Sequence, residues 1–150
     1  MKLSAARMAS WSGVRAVIAA ASRVNVLVDA AAGVDVGTTF MPHDRKLSAR
    51  KLWIGFASQV EGSVVVDDGA RRALVERATS LLPAGVTEVR GQFFEGATVE
   101  VLALDGALIA RGMATCDAAV LRRVAGKRTS ELPPDVAHEV VHRDDLVVLS

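Results

Sequence analysis

The first forty residues alternate between helical and strand spacings of apolar positions. Helical spacing predicts a helix over residues 2–12, which a glycine ends. An apolar run predicts a buried strand at 14–20, and a second strand is predicted at 34–40. Between them a short helix is predicted at 27–32, which Ser22 can cap. Helix, strand, helix and strand joined by short connections are typical of an α/β layer, which needs further strands to be complete. We therefore predict an α/β fragment in this part of the chain.

From Trp53 onward the pattern changes to short strands separated by glycines. A strand is predicted just before Asp67 and Asp68, and a helix just after them, because a carboxylate accepts N–H groups at a helix start. A second helix is predicted to begin at Asp117, as its cap, and to end at Gly126. This part is predicted to be a mixed α+β domain.

A polar segment that begins near Pro42 separates the two patterns. We predict a first domain at 1–45, a solvated linker at 46–59, a second domain at 60–135 and tail strands at 136–150. The tail is predicted to form two strands around a charged turn.

Composition narrows the class of protein. Apolar residues make up 51% of the chain, with four Phe, two Trp and no Tyr, so a core must consist mainly of Ala, Val and Leu. The 18 basic and 17 acidic residues give a net charge of +1, which favours neither a nucleic-acid-binding nor a membrane-bound chain. The single Cys116 permits no internal disulfide, so we expect a cytoplasmic protein without a membrane span.

Two acidic clusters are candidates for metal or acid–base chemistry. Asp67 and Asp68 could act as a carboxylate pair, but a helix cap explains both at less cost. His142, Asp144 and Asp145 could bind a metal, but neighbouring residues of a strand point to opposite faces. A polar turn or an interface is the better interpretation, and we predict no metal site.

Six short strings carry a resemblance to a known family. In chain order they are Lys2-Leu3-Ser4-Ala5-Ala6-Arg7 with Gly13-Val14, Val36-Gly37-Thr38-Thr39-Phe40, Asp67-Asp68-Gly69-Ala70, Ser80-Leu81-Leu82-Pro83-Ala84-Gly85-Val86, Ile109-Ala110-Arg111-Gly112, and Val141-His142-Arg143-Asp144-Asp145-Leu146. Together they resemble the C-terminal part of glutamate 5-kinases. Met1 stands where that family usually has Thr, and the two glycines of the motif that precedes Lys2 are absent.

The resemblance implies a fold and an activity. Residues 1–45 would be the end of an amino-acid-kinase domain, and residues 60–135 a PUA domain, which is a small pseudo-barrel. The family phosphorylates the side-chain carboxylate of L-glutamate with ATP and Mg²⁺ in proline biosynthesis. The resemblance also implies that Lys2 binds ATP in the intact enzyme. The fragment itself would have no catalytic residues, and we expect it to be inactive and to bind no cofactor.

PUA domains of other proteins bind structured RNA, which gives an alternative function. The candidate RNA-binding residues are Arg122, Arg123, Lys127 and Arg128. Residues 60–135 carry nine basic and eleven acidic residues, a net charge of −2, so we expect any RNA binding to be weak. Phe93 and Phe94 are interpreted as core residues rather than a stacking platform. A third interpretation is a regulatory or structural domain that self-associates into a homo-oligomer through its apolar tail strands.

Overall fold

The computed structural model describes residues 1–44 and 46–149, in two compact units, Met1–Leu52 and Trp53–Ser150. Arg45, at the end of the first predicted domain, lies outside the described residues.

The first unit contains the predicted order of helix, strand, helix and strand. Its elements are α1 (Lys2–Trp11), β1 (Ala16–Ala19), α2 (Val26–Ala31), β2 (Gly37–Phe40) and α3 (Ala49–Leu52). Strands β1 and β2 pair antiparallel, with Ala16 opposite Phe40 and Ala19 opposite Gly37. The prediction that the first of these strands is buried is wrong, because β1 is only half-buried. Most of β2 is exposed.

The first unit has polar and ring contacts between the end of α1 and the segment after β2. The Ser10 hydroxyl donates to the carbonyl oxygen of Met41. The Trp11 ring stacks on His43, with ring centroids 3.7 Å apart and planes 13° apart. Ser22 does not cap α2. That helix begins after Asn25, which is left-handed at φ 58° and makes no capping bond with its side chain.

The second unit is a five-stranded sheet with two helices. Its elements are a π-helix (Trp53–Ala57), β3 (Val60–Val66), α4 (Asp68–Arg77), a 3-10 turn (Pro83–Gly85), β4 (Val86–Gly91), β5 (Thr98–Leu102), β6 (Leu108–Ala114), α5 (Ala118–Val124), a 3-10 turn (Thr129–Glu131) and β7 (Val141–Val148). The strand order is β4-β3-β5-β6-β7. Strands β3 and β5 are parallel, and the other neighbouring pairs are antiparallel.

Most of the segment predicted as a linker, 46–59, is helical, in α3 and the π-helix. Ile54 in the π-helix is fully buried, and Gly55 is buried as well. The Gly55 carbonyl oxygen accepts a hydrogen bond from the Arg111 guanidinium at 3.0 Å, and Arg111 also forms an ion pair with Glu100 at 2.8 Å. The π-helix is therefore joined to strand β6 of the second unit.

The core of the second unit lies between the sheet and its helices. Fully buried members include Val64, Val66, Val99 and Val101 from the central strands, and Leu74 and Leu121 from α4 and α5. Phe93 belongs to this core, as predicted. The same prediction for Phe94 is wrong, because 75% of Phe94 is exposed.

The tail forms one strand rather than two. Gly112 pairs with Leu146 and Ala114 with Val141, so residues 142–145 bulge out opposite a single residue of β6. A side chain at Gly112 would collide with that of Val141 and lie 3.0 Å from the carbonyl oxygen of Asp145. The predicted charged turn is thus a bulge within β7.

Candidate functional site

Lys2 lies in the first turn of α1, beside a groove of about 410 Å³. The groove is lined by Lys2, Ala5, Ala6 and the four residues of β1, Ala16, Val17, Ile18 and Ala19. The first turn of α1 holds no acidic residue, and the residue at its N-cap position makes no side-chain capping bond. Lys2 and the N-terminal end of α1 therefore both lie beside this groove.

Asp67 caps helix α4, as the sequence predicts. The backbone N–H of Ala70 donates to Asp67 Oδ1 at 2.7 Å, while Asp68 is exposed in the first turn. The two carboxylates therefore do not form a catalytic pair.

A cavity of about 740 Å³ lies beside α4. Its apolar floor includes Ala70, Ala73, Leu74 and Leu81. A side chain at Gly85 would collide with Ala70, so glycine allows the 3-10 turn to approach α4 closely. Three of the six strings that carry the family resemblance, at 67–70, 80–86 and 141–146, contribute residues to this cavity.

The rim of this cavity is polar and carries both signs of charge. Arg77, Glu139, His142 and Arg143 line it. The Ser80 hydroxyl oxygen accepts the backbone N–H of Arg143 at 3.0 Å and so attaches the β7 bulge to the rim. Arg77 and Glu139 were not expected from the sequence, because the rim joins segments more than sixty residues apart.

His142 has two carboxylates nearby. Its Nε2 lies 3.8 Å from Glu139 Oε2, and its Nδ1 lies 3.6 Å from Asp144 Oδ2 and accepts the Asp144 backbone N–H at 3.2 Å. Across the described ranges 1–44 and 46–149, no three His, Cys, Asp or Glu residues are arranged to hold a metal ion. Residues 142–145 form a polar bulge.

The four candidate RNA-binding residues all lie on α5 or just after it. Arg122 and Arg123 occupy its last turn, and Lys127 and Arg128 follow it. All four are exposed, and no ion pair within the described part of the chain neutralises them.

Asp117 stands at the predicted N-cap position of α5, but its side chain binds elsewhere. Its Oδ1 accepts the backbone N–H of Glu95 at 2.8 Å, and it makes no capping bond with its own helix. The predicted capping role is therefore wrong. The carboxylate instead joins the β4–β5 loop to the start of α5.

Burial raises the pKa of the Cys116 thiol above its ordinary value, and the neighbouring Asp117 carboxylate raises it further. A raised pKa leaves less of the reactive thiolate near neutral pH. The sequence-based interpretation of Cys116 as a half-buried residue rather than a nucleophile fits this environment.

Comparison with known proteins identifies the second unit. Residues 62–133 match the PUA domain family, so a PUA domain is present. The chain is 42% identical over 99% of its length to the glutamate 5-kinase of Mycolicibacterium vanbaalenii, and 44% identical over 99% to that of Rhodococcus opacus. It spans about 40% of the length of either relative.

These matches confirm the resemblance to glutamate 5-kinases predicted from the six strings. Among solved structures, a PUA domain from Aeropyrum pernix in complex with tartrate is 27% identical. The match covers 55% of this chain and 41% of that chain, and the two superpose with a TM-score of 0.46.

In the described part of the chain, the helices are too short or too polar to cross a membrane.

Proposed function

We propose that this chain is the C-terminal part of a glutamate 5-kinase, in which the PUA domain is a regulatory or structural appendage. The intact enzyme would transfer the γ-phosphoryl group of ATP to the side-chain carboxylate of L-glutamate, in proline biosynthesis in the cytoplasm. The observation that carries this proposal is 42% identity to such a kinase over 99% of the chain.

The first unit would then be the end of an amino-acid-kinase fold that contributes to ATP binding. Phosphoryl transfer accumulates negative charge on phosphate oxygens, and enzymes offset that charge with positioned cations and N–H donors. Lys2 supplies a cation, and the uncapped start of α1 supplies N–H groups beside an open groove. This is the arrangement that favours a phosphate at a helix N-terminus.

Mg²⁺ prefers carboxylate and other oxygen ligands. The first turn of α1 contains no acidic residue, and the described ranges contain no metal-binding cluster of three side chains. We therefore assign no Mg²⁺ ligand among the described residues.

A chimera tests the kinase proposal. This chain would replace the matching 40% of the Mycolicibacterium vanbaalenii enzyme, and acyl phosphate would be trapped with hydroxylamine. We expect turnover by the chimera and none above a no-protein control by the 150-residue chain alone. In the chimera, Lys2→Ala should lower kcat about a hundredfold to a thousandfold, as for loss of one positioned donor at a developing charge.

Arg7→Ala is the matched control, because it removes an exposed cation from the same helix α1. Its kcat should stay near that of the chimera. A folded chimera without activity would contradict the proposal, and normal kcat in Lys2→Ala would contradict the role of Lys2.

Weak RNA binding by the PUA domain is a second candidate function. The observation that favours it is the group of four exposed cations on and after α5, which no ion pair of the described residues neutralises. Most of the affinity of such a surface comes from phosphate neutralisation, so it falls steeply with salt. We expect a labelled structured RNA to bind at low salt and to dissociate at physiological salt. Changing all four cations to Glu should abolish binding.

A further inference from the structure

Phe93 and Phe94 follow each other in the β4–β5 loop and have opposite environments. Phe93 is 3% exposed and belongs to the core, whereas Phe94 is 75% exposed. The loop therefore presents one largely exposed aromatic ring to solvent, next to a buried ring that anchors it.

The loop that carries Phe94 is fixed by backbone bonds on both sides. The Phe93 carbonyl oxygen accepts the N–H of Ala118 at 3.0 Å, and the Phe94 carbonyl oxygen accepts that of Ala97 at 3.1 Å. Gly96 closes the turn with a φ of 82°, which glycine adopts without strain. Because Asp117 also holds the Glu95 N–H, the exposed position of Phe94 is set by the fold.

Arg122 brings a positive charge to the same loop. Its guanidinium donates to the Gly91 carbonyl oxygen and to Gln92 Oε1, the latter at 3.4 Å, and the residue stays exposed. The segment 117–131 contains four basic and two acidic residues, for a net charge of +2. Both carboxylates accept backbone hydrogen bonds: Asp117 accepts the N–H of Glu95, and Glu131 accepts the N–H of Arg128.

We propose that Phe94 and Arg122 form a binding surface for single-stranded RNA, an inference that rests on the second candidate function. An unpaired base would stack on the Phe94 ring, and the neighbouring phosphates would contact Arg122 and the cations that follow it. Base–aromatic stacking is available to an unpaired base but not to a base inside a duplex. The exposed cations Arg122, Arg123, Lys127 and Arg128 favour a polyanion over a protein partner with an apolar surface.

Fluorescence anisotropy of the full chain tests this surface. The probes are a labelled twelve-nucleotide oligouridylate and a twelve-base-pair RNA duplex at low salt. We expect tighter binding of the single strand. Phe94→Ala should weaken it about fivefold to a hundredfold without changing the salt dependence, because stacking adds no charge. Phe94→Trp should retain the affinity.

Two control variants separate the surface from general effects. Leu104→Ala removes another exposed apolar side chain, 62% exposed on the β5–β6 turn, and should leave binding unchanged. Asp117→Asn keeps an oxygen acceptor for the Glu95 N–H, so this variant should bind the single strand at least as tightly as the unchanged chain. Asp117→Ala removes that acceptor and should weaken binding.

The outcomes distinguish RNA binding by the domain from RNA binding at the Phe94 surface. Failure of both probes to bind at low salt would overturn RNA binding itself and this surface with it. Binding that is equal in Phe94→Ala and the unchanged chain, or tighter for the duplex, would overturn the Phe94 surface and leave the four cations as the RNA-binding candidates. Thermal melts of each variant exclude unfolding as the cause, because Phe94 contributes little to the core.

Discussion

The two units contain similar elements but differ in how much they bury. Each unit has strands and helices joined by short connections. Apart from Ala6, every buried apolar side chain of the described residues belongs to the second unit. In the first unit, α2 has no buried residue, and Leu27 and Val24 are 82% and 80% exposed.

This difference shows that local patterns are enough to form helices and strands but not to form a core. A two-stranded ribbon covers too little surface to be stable alone, whereas five strands with packed helices can close around apolar side chains. The first unit leaves apolar side chains such as Leu27 exposed. The second unit buries its own apolar residues, including Leu74 and Leu121.

Separating the two units should give the largest effect. We expect residues 53–150 to melt cooperatively and to protect their sheet amides from exchange. Residues 1–52, expressed alone, should show no cooperative melt and should exchange rapidly or aggregate. Thermal melts and amide hydrogen exchange of the two pieces measure this. A cooperative melt of the first piece, or none of the second, would refute the contrast between the units.

Two leucines on helices provide a sharper comparison within the full chain. Leu121 on α5 is completely buried, and Leu27 on α2 is 82% exposed. Leu121→Ala should lower the free energy of unfolding by about 2–5 kcal/mol, the usual cost of a cavity. Leu27→Ala should change it by less than about 0.5 kcal/mol. Urea denaturation measures both, and equal effects would show that the two helices are packed alike.

The sequence predicts best the features that depend on neighbouring residues. Asp67 caps α4 because its acceptor and the Ala70 N–H lie three residues apart. The Asp117 prediction fails because the partner of its carboxylate, the Glu95 N–H, lies 22 residues away in sequence. Phe94 is misassigned because its exposure depends on how the β4–β5 loop is held against α5.

The tail and the cavity show the same limit. The charged residues 142–145 are predicted to form a turn between two strands, but only the partner strand β6 shows that Val141 and Leu146 belong to one strand. The cavity beside α4 joins residues 67–85 to residues 139–143, and no local pattern predicts that contact. In the sequence, these cavity segments are distinguished only by the family resemblance.

Removing the α4 cap should have a moderate effect on the second unit. Asp67→Ala should lower the free energy of unfolding by about 1 kcal/mol, because the Ala70 N–H loses its acceptor. Asp67→Asn should retain most of the stability, because its amide oxygen can accept the same N–H. Urea denaturation of the full chain measures both changes. If Asn destabilises as much as Ala, the capping bond is not the source of the effect.

The smallest expected effect on stability comes from the titration of Cys116 in the second unit. Its thiol pKa is raised by burial, so the folded state binds the proton more tightly than the unfolded state does. The resulting stability is fully present below the ordinary cysteine pKa of about 8.5 and is lost as pH rises through the higher folded value. Cys116→Ser should remove this alkaline loss.

The same thiol tests whether the second unit folds identically on its own. Cys116 is the single cysteine of the chain, so the rate of alkylation by iodoacetamide measures the reactivity of this one thiol. We expect slow alkylation at pH 8 in the full chain, an equal rate in residues 53–150, and a much faster rate in urea, because the thiolate is the reactive form. Faster alkylation of the isolated piece than of the full chain would show that residues 1–52 contribute to packing around Cys116, and the contrast between a self-sufficient and a dependent unit would then fail.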